Sequence, residues 1–175
     1  MTAFVTQPAP DFKADALVNG EFKTISLSDY KGKKIVLFFY PLDFTFVCPT
    51  EILAFSDAIK EFEARDTQVI GVSVDSKFSH FAWTQVDRKE GGIKGITFPL
   101  VADLNKTIAA DYGVLLPVGI ALRGLFIINP DGILQYAVVH DLNIGRSVDE
   151  TLRVLQGLQT GGLCAANWTP GQKNL

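Results

Sequence analysis

Cys48 is one of two cysteines in the chain and sits in "FFYPLDFTFVCPTE", residues 38–51, just past an apolar run and directly before a proline. The other, Cys164, lies in a glycine-rich tail. A thiol in the first turn of a helix faces unpaired backbone N–H groups and the positive end of the helix dipole, both of which favour thiolate over thiol. Thr45, three residues upstream, carries a hydroxyl that could hydrogen-bond the sulfur or an oxygen bound to it. Arg123 stands inside "ALRGLFII", where a strand ordinarily carries an apolar side chain. A buried arginine is costly unless it meets an anion, and the candidates are the Cys48 thiolate and the Glu51 carboxylate. The competing reading is plainer: free cysteine is among the most buried residue types and often acts as a small hydrophobe.

If the thiol is reactive, the residues around it narrow the chemistry. A dithiol exchanger needs a second cysteine three residues on, and Cys48-Pro49-Thr50-Glu51 has none. A cysteine hydrolase needs an activating histidine. His80 and His140 are present, but nothing in the sequence ties either to Cys48. What remains is a thiolate supported by a helix start and an arginine, without a general base. That set suits attack on a weak bond that needs polarisation, and a peroxide is one such substrate. The cysteines and histidines are too far apart in sequence for metal-ligand spacing, so neither metal nor cofactor is expected.

The elements that must position these residues are readable from periodicity. "KKIVLFFY" (33–40) and "TQVIGVSVD" (67–75) are short apolar runs typical of strands covered on both faces. Between them, "PTEILAFSDAIKEFEARD" (49–66) spaces Ile52, Phe55, Ile59 and Phe62 as a helix does, with Pro49 in its first turn. "SKFSHFAWTQVDRKEGG" (76–92) predicts a helix closed by glycine, "FPLVAD" (98–103) a short strand, and "NKTIAADYG" (105–113) a short helix. In "ALRGLFIINPDGILQYAVVH" (121–140) two strands flank an Asn-Pro-Asp-Gly turn. "SVDETLRVLQGLQTGG" (147–162) opens on the capping pair Ser147 and Glu150 and ends on paired glycines. The order predicts an α/β fold with a central mixed sheet and helices on both faces. A domain over 1–160 and a tail over 161–175 carrying Cys164 are expected.

At 175 residues, 47% hydrophobic and 20% charged, the chain is expected to bury one substantial core. A net charge of −3 gives no reason to expect nucleic acid or an anionic membrane as partner. The N-terminus has no basic segment followed by an apolar stretch, and no window has the length of a transmembrane helix. A cytoplasmic protein with free thiols or a transient redox pair is expected.

The segment 38–51 resembles the active-site segment of the peroxiredoxins, whose Pro-x-x-x-Thr-x-x-Cys pattern Pro41, Thr45 and Cys48 match position for position. Arg123 in "ALRGLFIINPDG" matches a second active-site segment of that family, and the similarity runs from about Pro10 to Trp168. The resemblance is to the typical two-cysteine subclass, which includes the bacterial alkyl hydroperoxide reductase peroxidase subunit. It implies a thioredoxin-like fold and a peroxidase acting on hydrogen peroxide and organic hydroperoxides. Cys48 would be the attacking thiol, Thr45 and Arg123 the peroxide-binding residues and Pro41 the roof of the pocket. Glu51 and Arg146 would orient the arginine. Cys164 of a partner chain would resolve the sulfenic acid as an intersubunit disulfide, reduced by a thioredoxin-like or flavin-linked reductase. The family's homodimers commonly form rings of five dimers through a contact near "DSKFSHF" (75–81), where Phe78 is either contact or core. Members that inactivate readily carry a Gly-Gly-Leu-Gly loop and a terminal helix; here stand "EGGIKG" (90–95) and "WTPGQKNL", so easy opening and resistance to overoxidation are expected. Ala165-Ala166 follow Cys164 where many relatives have a proline. A holdase, a peroxide relay to a partner and an inactive binding module are the other readings this segment allows.

Overall fold

A computed structural model describes residues 2–175. The centre of the sheet is β3 (Lys34–Phe39), flanked by β4 (Thr67–Ser73) in parallel and by β6 (Arg123–Ile128) antiparallel. With β1 (Lys13–Val18), β2 (Glu21–Ser26), β5 (Leu100–Ala102) and β7 (Leu134–His140), the order across the sheet is β2-β1-β5-β4-β3-β6-β7. β3 reads as a continuous apolar run because both faces are covered. Ile35, Leu37 and Phe39 enter one core, and Val36, Phe38 and Tyr40 the other.

The helices divide between those two cores. α1 (Cys48–Asp57), α2 (Ile59–Glu63), α3 (Lys77–Thr84) and α5 (Val148–Thr160) bury Ile52, Phe55, Phe62, Trp83, Leu152 and Leu155 on the Phe38 side. Phe38 stacks on Phe55 with ring centroids 4.6 Å apart. α4 (Thr107–Asp111) covers the other side with Ile108, followed by Tyr112, which stands edge-on to Phe126 at 4.9 Å. Each fully buried side chain of this size stabilises the fold by about 1.5–3 kcal/mol.

Four local features differ from the sequence reading. The helix expected over 49–66 is interrupted at Ala58, whose ψ of 5° ends α1 before α2 begins; the apolar face survives the break. The helix expected over 76–92 stops at Thr84, and a 3-10 turn at Arg88–Glu90 follows. There the chain turns back on itself: the Gly92 N–H donates to Asp87 O at 3.0 Å, and a Cβ on Gly92 would lie 1.9 Å from the Val86 carbonyl oxygen. The β1–β2 hairpin was not anticipated, although Asn19-Gly20, with φ of 50° and 79°, is a strong hairpin signal. At the start of α5, Ser147 accepts the Glu150 N–H, but the Glu150 carboxylate turns to Arg153 instead of completing the capping box.

Candidate active site

Cys48 is the first residue of α1 and is fully buried. Pro49 follows in the first turn, where its missing N–H leaves no bond unmade. The approach to the helix, residues 41–47, is held by a buried network anchored on Asp43. The Tyr40 hydroxyl and Ser79 Oγ donate to its carboxylate at 2.7 and 2.8 Å, and His80 Nδ1 stands 2.7 Å from it. His80 Nε2 lies 3.1 Å from Val101 O, so both ring nitrogens are engaged. The Asp43 N–H in turn donates to Asp75 Oδ2 at 2.8 Å. Burial, and then the negative charge of Asp43, push the Asp75 carboxyl above its ordinary range. Neither Asp43 nor Asp75 was singled out from the sequence, where nothing local connects them to His80.

Arg123 has the same parity on β6 as Leu125 and Ile127, which pack on the α1 face, so its side chain is directed to that face as well. Its Nη1 stands 3.3 Å from Cys48 Sγ and 2.8 Å from Glu51 Oε2, while Nε donates to Leu142 O at 2.8 Å. Arg146 closes on the other edge of the same carboxylate. Its Nε and backbone N–H reach Glu51 Oε1 and its Nη2 reaches Oε2, each at 2.8 Å. Its Nη1 donates to the carbonyls of Phe39 and Gly124. Burial raises the Glu51 carboxyl, but the Arg146 bonds and the two guanidinium charges outweigh it and hold the carboxyl below its ordinary value. Glu51 is therefore a fixed anion between two arginines, and the nearer of these presents its charge to the sulfur.

Pro41 is buried and Thr45 half-buried. The Thr45 hydroxyl gives its proton to Leu42 O at 2.9 Å, not to the sulfur, which leaves its oxygen lone pairs to accept from an incoming O–H. Phe46, at 93% exposure, stands beside the thiol segment on the outer surface.

Cys164 is not part of this cluster. It is exposed and lies against α5, with Sγ 3.7 Å from Gly157 O and 3.8 Å from Thr160 Oγ1. The tail is irregular, as its composition implied, yet it is held. Trp168 is buried, its carbonyl accepts from Arg153 Nη1 at 2.8 Å, and the Leu175 N–H donates to Leu163 O at 2.9 Å. Both groups pack over Gly157, where a Cβ would stand 3.5 Å from Cys164 Sγ and 3.6 Å from the Trp168 ring, ordinary contact distances.

A buried thiol at a helix start, faced by an arginine across a seven-stranded mixed sheet, defines a thioredoxin-like protein of the peroxiredoxin kind. The chain belongs to the AhpC/TSA family, which it matches over residues 5–137. It is 56% identical over 181 residues to the 2-cysteine peroxiredoxin, chloroplastic, of Chattonella marina var. antiqua, covering 100% of this chain and 93% of that one. It is 58% identical over 171 residues to the thioredoxin-dependent peroxide reductase, mitochondrial, of Drosophila melanogaster, covering 95% and 73%. The reduced 2-Cys peroxiredoxin of Plasmodium vivax superposes with a TM-score of 0.96 at 42% identity, covering 98% and 92%.

Proposed function

We propose that the protein is a thiol-dependent peroxidase. The observation that carries this is the 3.3 Å approach of Arg123 Nη1 to Cys48 Sγ, with Glu51 and Arg146 fixing the guanidinium behind it. Cys48 thiolate attacks the nearer oxygen of a hydroperoxide, the S–O bond forms and the O–O bond breaks. The electron pair leaves on the farther oxygen, which is protonated to water or an alcohol, and Cys48 becomes a sulfenic acid. Arg123 stabilises the charge that develops along the breaking bond, and Thr45 accepts from the peroxide O–H. Pro41 excludes water. Both hydrogen peroxide and organic hydroperoxides are substrates.

Cys164 of a second copy then attacks the sulfenic sulfur, displacing hydroxide, which takes up the thiol proton as water. The separation of the two thiols within one chain supports resolution between chains. A thioredoxin-like or flavin-linked disulfide reductase restores both thiols. The working unit is a homodimer that assembles into a ring through the exposed cluster of Phe22, Phe78 and Phe81, in the cytoplasm. The loop 90–95 is tied to the end of α1 through exposed Arg88, which reaches Asp57 at 2.8 Å and Lys94 O at 3.2 Å. Exposed bonds of this kind are worth little, but the loop also buries Ile93, and its Gly91 carbonyl accepts from Trp83 Nε1 at 3.0 Å. The reading of easy opening and resistance to overoxidation therefore rests on the sequence of residues 90–95 and of the tail.

The test is a non-reducing gel with intact mass, sampled within seconds of adding one equivalent of peroxide to reduced protein. A disulfide-linked dimer is expected in wild type alone, a sulfenic adduct in Cys164→Ser, and neither in Cys48→Ser. Persistence of peroxide with Cys48 still a thiol would overturn the reading.

A further inference from the structure

The two histidines have opposite surroundings. His80 is fully buried with partners on both ring nitrogens, a structural residue. His140 is half-buried, and its Nδ1 is, among the described residues, the only buried side-chain nitrogen or oxygen without a hydrogen-bond partner. Buried polar atoms are nearly always paired, and the exceptions call for a functional explanation.

Its place in the sheet supplies one. His140, the last residue of β7, stands directly opposite Arg123, the first of β6. Facing residues of an antiparallel pair share one side of the sheet, with Cβ atoms about 4.5–5.5 Å apart. The imidazole therefore neighbours the stem of the arginine that touches Cys48. Leu142, two residues on, holds Arg123 Nε, so one stretch of chain supplies both contacts. This juxtaposition depends on an irregularity in the hairpin: Ile128 faces Leu134 but Ile127 faces Tyr136, so Gln135 is an extra residue in β7. Without that bulge the register would run on to set Val139 against Arg123. Bulges beside active sites commonly re-aim a side chain in this way.

The committed bonds at the site sharpen the role. Arg123 uses Nε on Leu142 and Nη1 on Cys48 and Glu51, while Nη2 makes no hydrogen bond to the described residues. The guanidinium is thus held on two sides, through Nε and through Nη1, and only its Nη2 amino group is uncommitted. We propose that His140 is a positioning residue of the peroxide site, its ring walling the Arg123 stem and its buried Nδ1 adding a polar surface beside the one arginine whose Nη2 is left uncommitted. His140 acts through Arg123 and does not touch the sulfur. The inference rests on the peroxidase reading for its reaction, but its geometric content concerns Arg123 alone.

The experiment uses the full chain, reduced, in four forms beside wild type: His140→Leu, His140→Asn, Arg123→Lys and the His140→Leu, Arg123→Lys double variant. Asparagine retains a polar atom near the place of Nδ1; leucine retains only bulk. Single-turnover mixing with hydrogen peroxide gives the rate of Cys48 oxidation, and alkylation by iodoacetamide, followed by mass, gives the reactivity of the thiol without peroxide. His140→Leu is expected to slow Cys48 oxidation about tenfold, the scale of a modest loss of alignment. It should also change the alkylation rate, and leave disulfide formation and the urea midpoint as in wild type. His140→Asn should return both rates to within about threefold, and the leucine effect should vanish in the Arg123→Lys background. Equal rates in His140→Leu and wild type would overturn the proposal. So would asparagine as slow as leucine, or effects that multiply in the double variant. If wild-type Cys48 consumes no peroxide, the peroxidase reading fails, and the His140 inference stands or falls on the alkylation arm.

Discussion

Glu51 decides whether the arginine beside Cys48 can be buried at all. Two guanidinium groups out of water require an anion, and this carboxylate meets both with bonds of 2.8 Å. Removing the charge while keeping the shape, as in Glu51→Gln, leaves two buried cations unpaired. Breaking a buried pair in this way typically costs about 3–5 kcal/mol, and a fall of that size in unfolding free energy at pH 7 is expected from urea denaturation. The pH dependence follows from the same bonds. The folded carboxyl lies below its ordinary value of 4.5, so the unfolded chain takes up a proton first as the pH falls. The stabilisation is therefore complete above about pH 4.5 and is lost as the pH drops through the lower, folded value. The difference in urea midpoint between wild type and Glu51→Gln should be constant from neutral pH to about 5 and shrink in more acid solution. A difference that grows as the pH falls would contradict this account.

At the scale of elements, helix starts and strand ends converge on one face of the sheet. α1 delivers Cys48 and Glu51, the start of β6 delivers Arg123, and the chain beyond β7 delivers Leu142 and Arg146. The tail is a separate element with its own anchor. Trp168 sits on α5 over Gly157, and few other apolar groups hold residues 161–175. Such a segment opens without the rest of the molecule. Trp168→Ala is expected to speed amide exchange at Trp168 and Leu175 while exchange in β3 and β6 stays unchanged. If global stability fell by the roughly 3–5 kcal/mol of a core tryptophan, the tail would belong to the core after all.

For the whole molecule, the notable surface is at the β2–α3 corner. Phe78 is 65% exposed and packs edge-on to Phe22 at 5.3 Å, with Lys77 over both rings and bonded to Asp15. Phe78 is therefore not a core residue, and three neighbouring exposed aromatic rings are a poor surface to leave in water. Phe78→Arg is expected to shift sedimentation from ring to dimer with Cys48 oxidation in a single turnover retained. An unchanged sedimentation coefficient would move the assembly contact elsewhere.

The division between sequence and tertiary structure follows from range. The alternating burial of β3, the helical face of Ile52, Phe55, Ile59 and Phe62, and the cysteine at a helix start are set by near neighbours, so spacing alone determined them. The parity that sends Arg123 to the same face as Leu125 and Ile127 is equally local. The segment 38–51 was specific enough to point to the family to which the chain belongs. Other features needed the folded chain. Arg146 meets Glu51 across 95 residues, and His80 meets Asp43 across 37. The Asn19-Gly20 hairpin was legible and was missed, whereas no local pattern reveals that the tail is anchored. The histidine opposite Arg123 is the clearest case: a single extra residue in β7 exchanges Val139 for His140, and a bulge is settled by packing on both faces of the sheet. Sequence determined which residues could do chemistry here, and the register of one hairpin decided which of them meet.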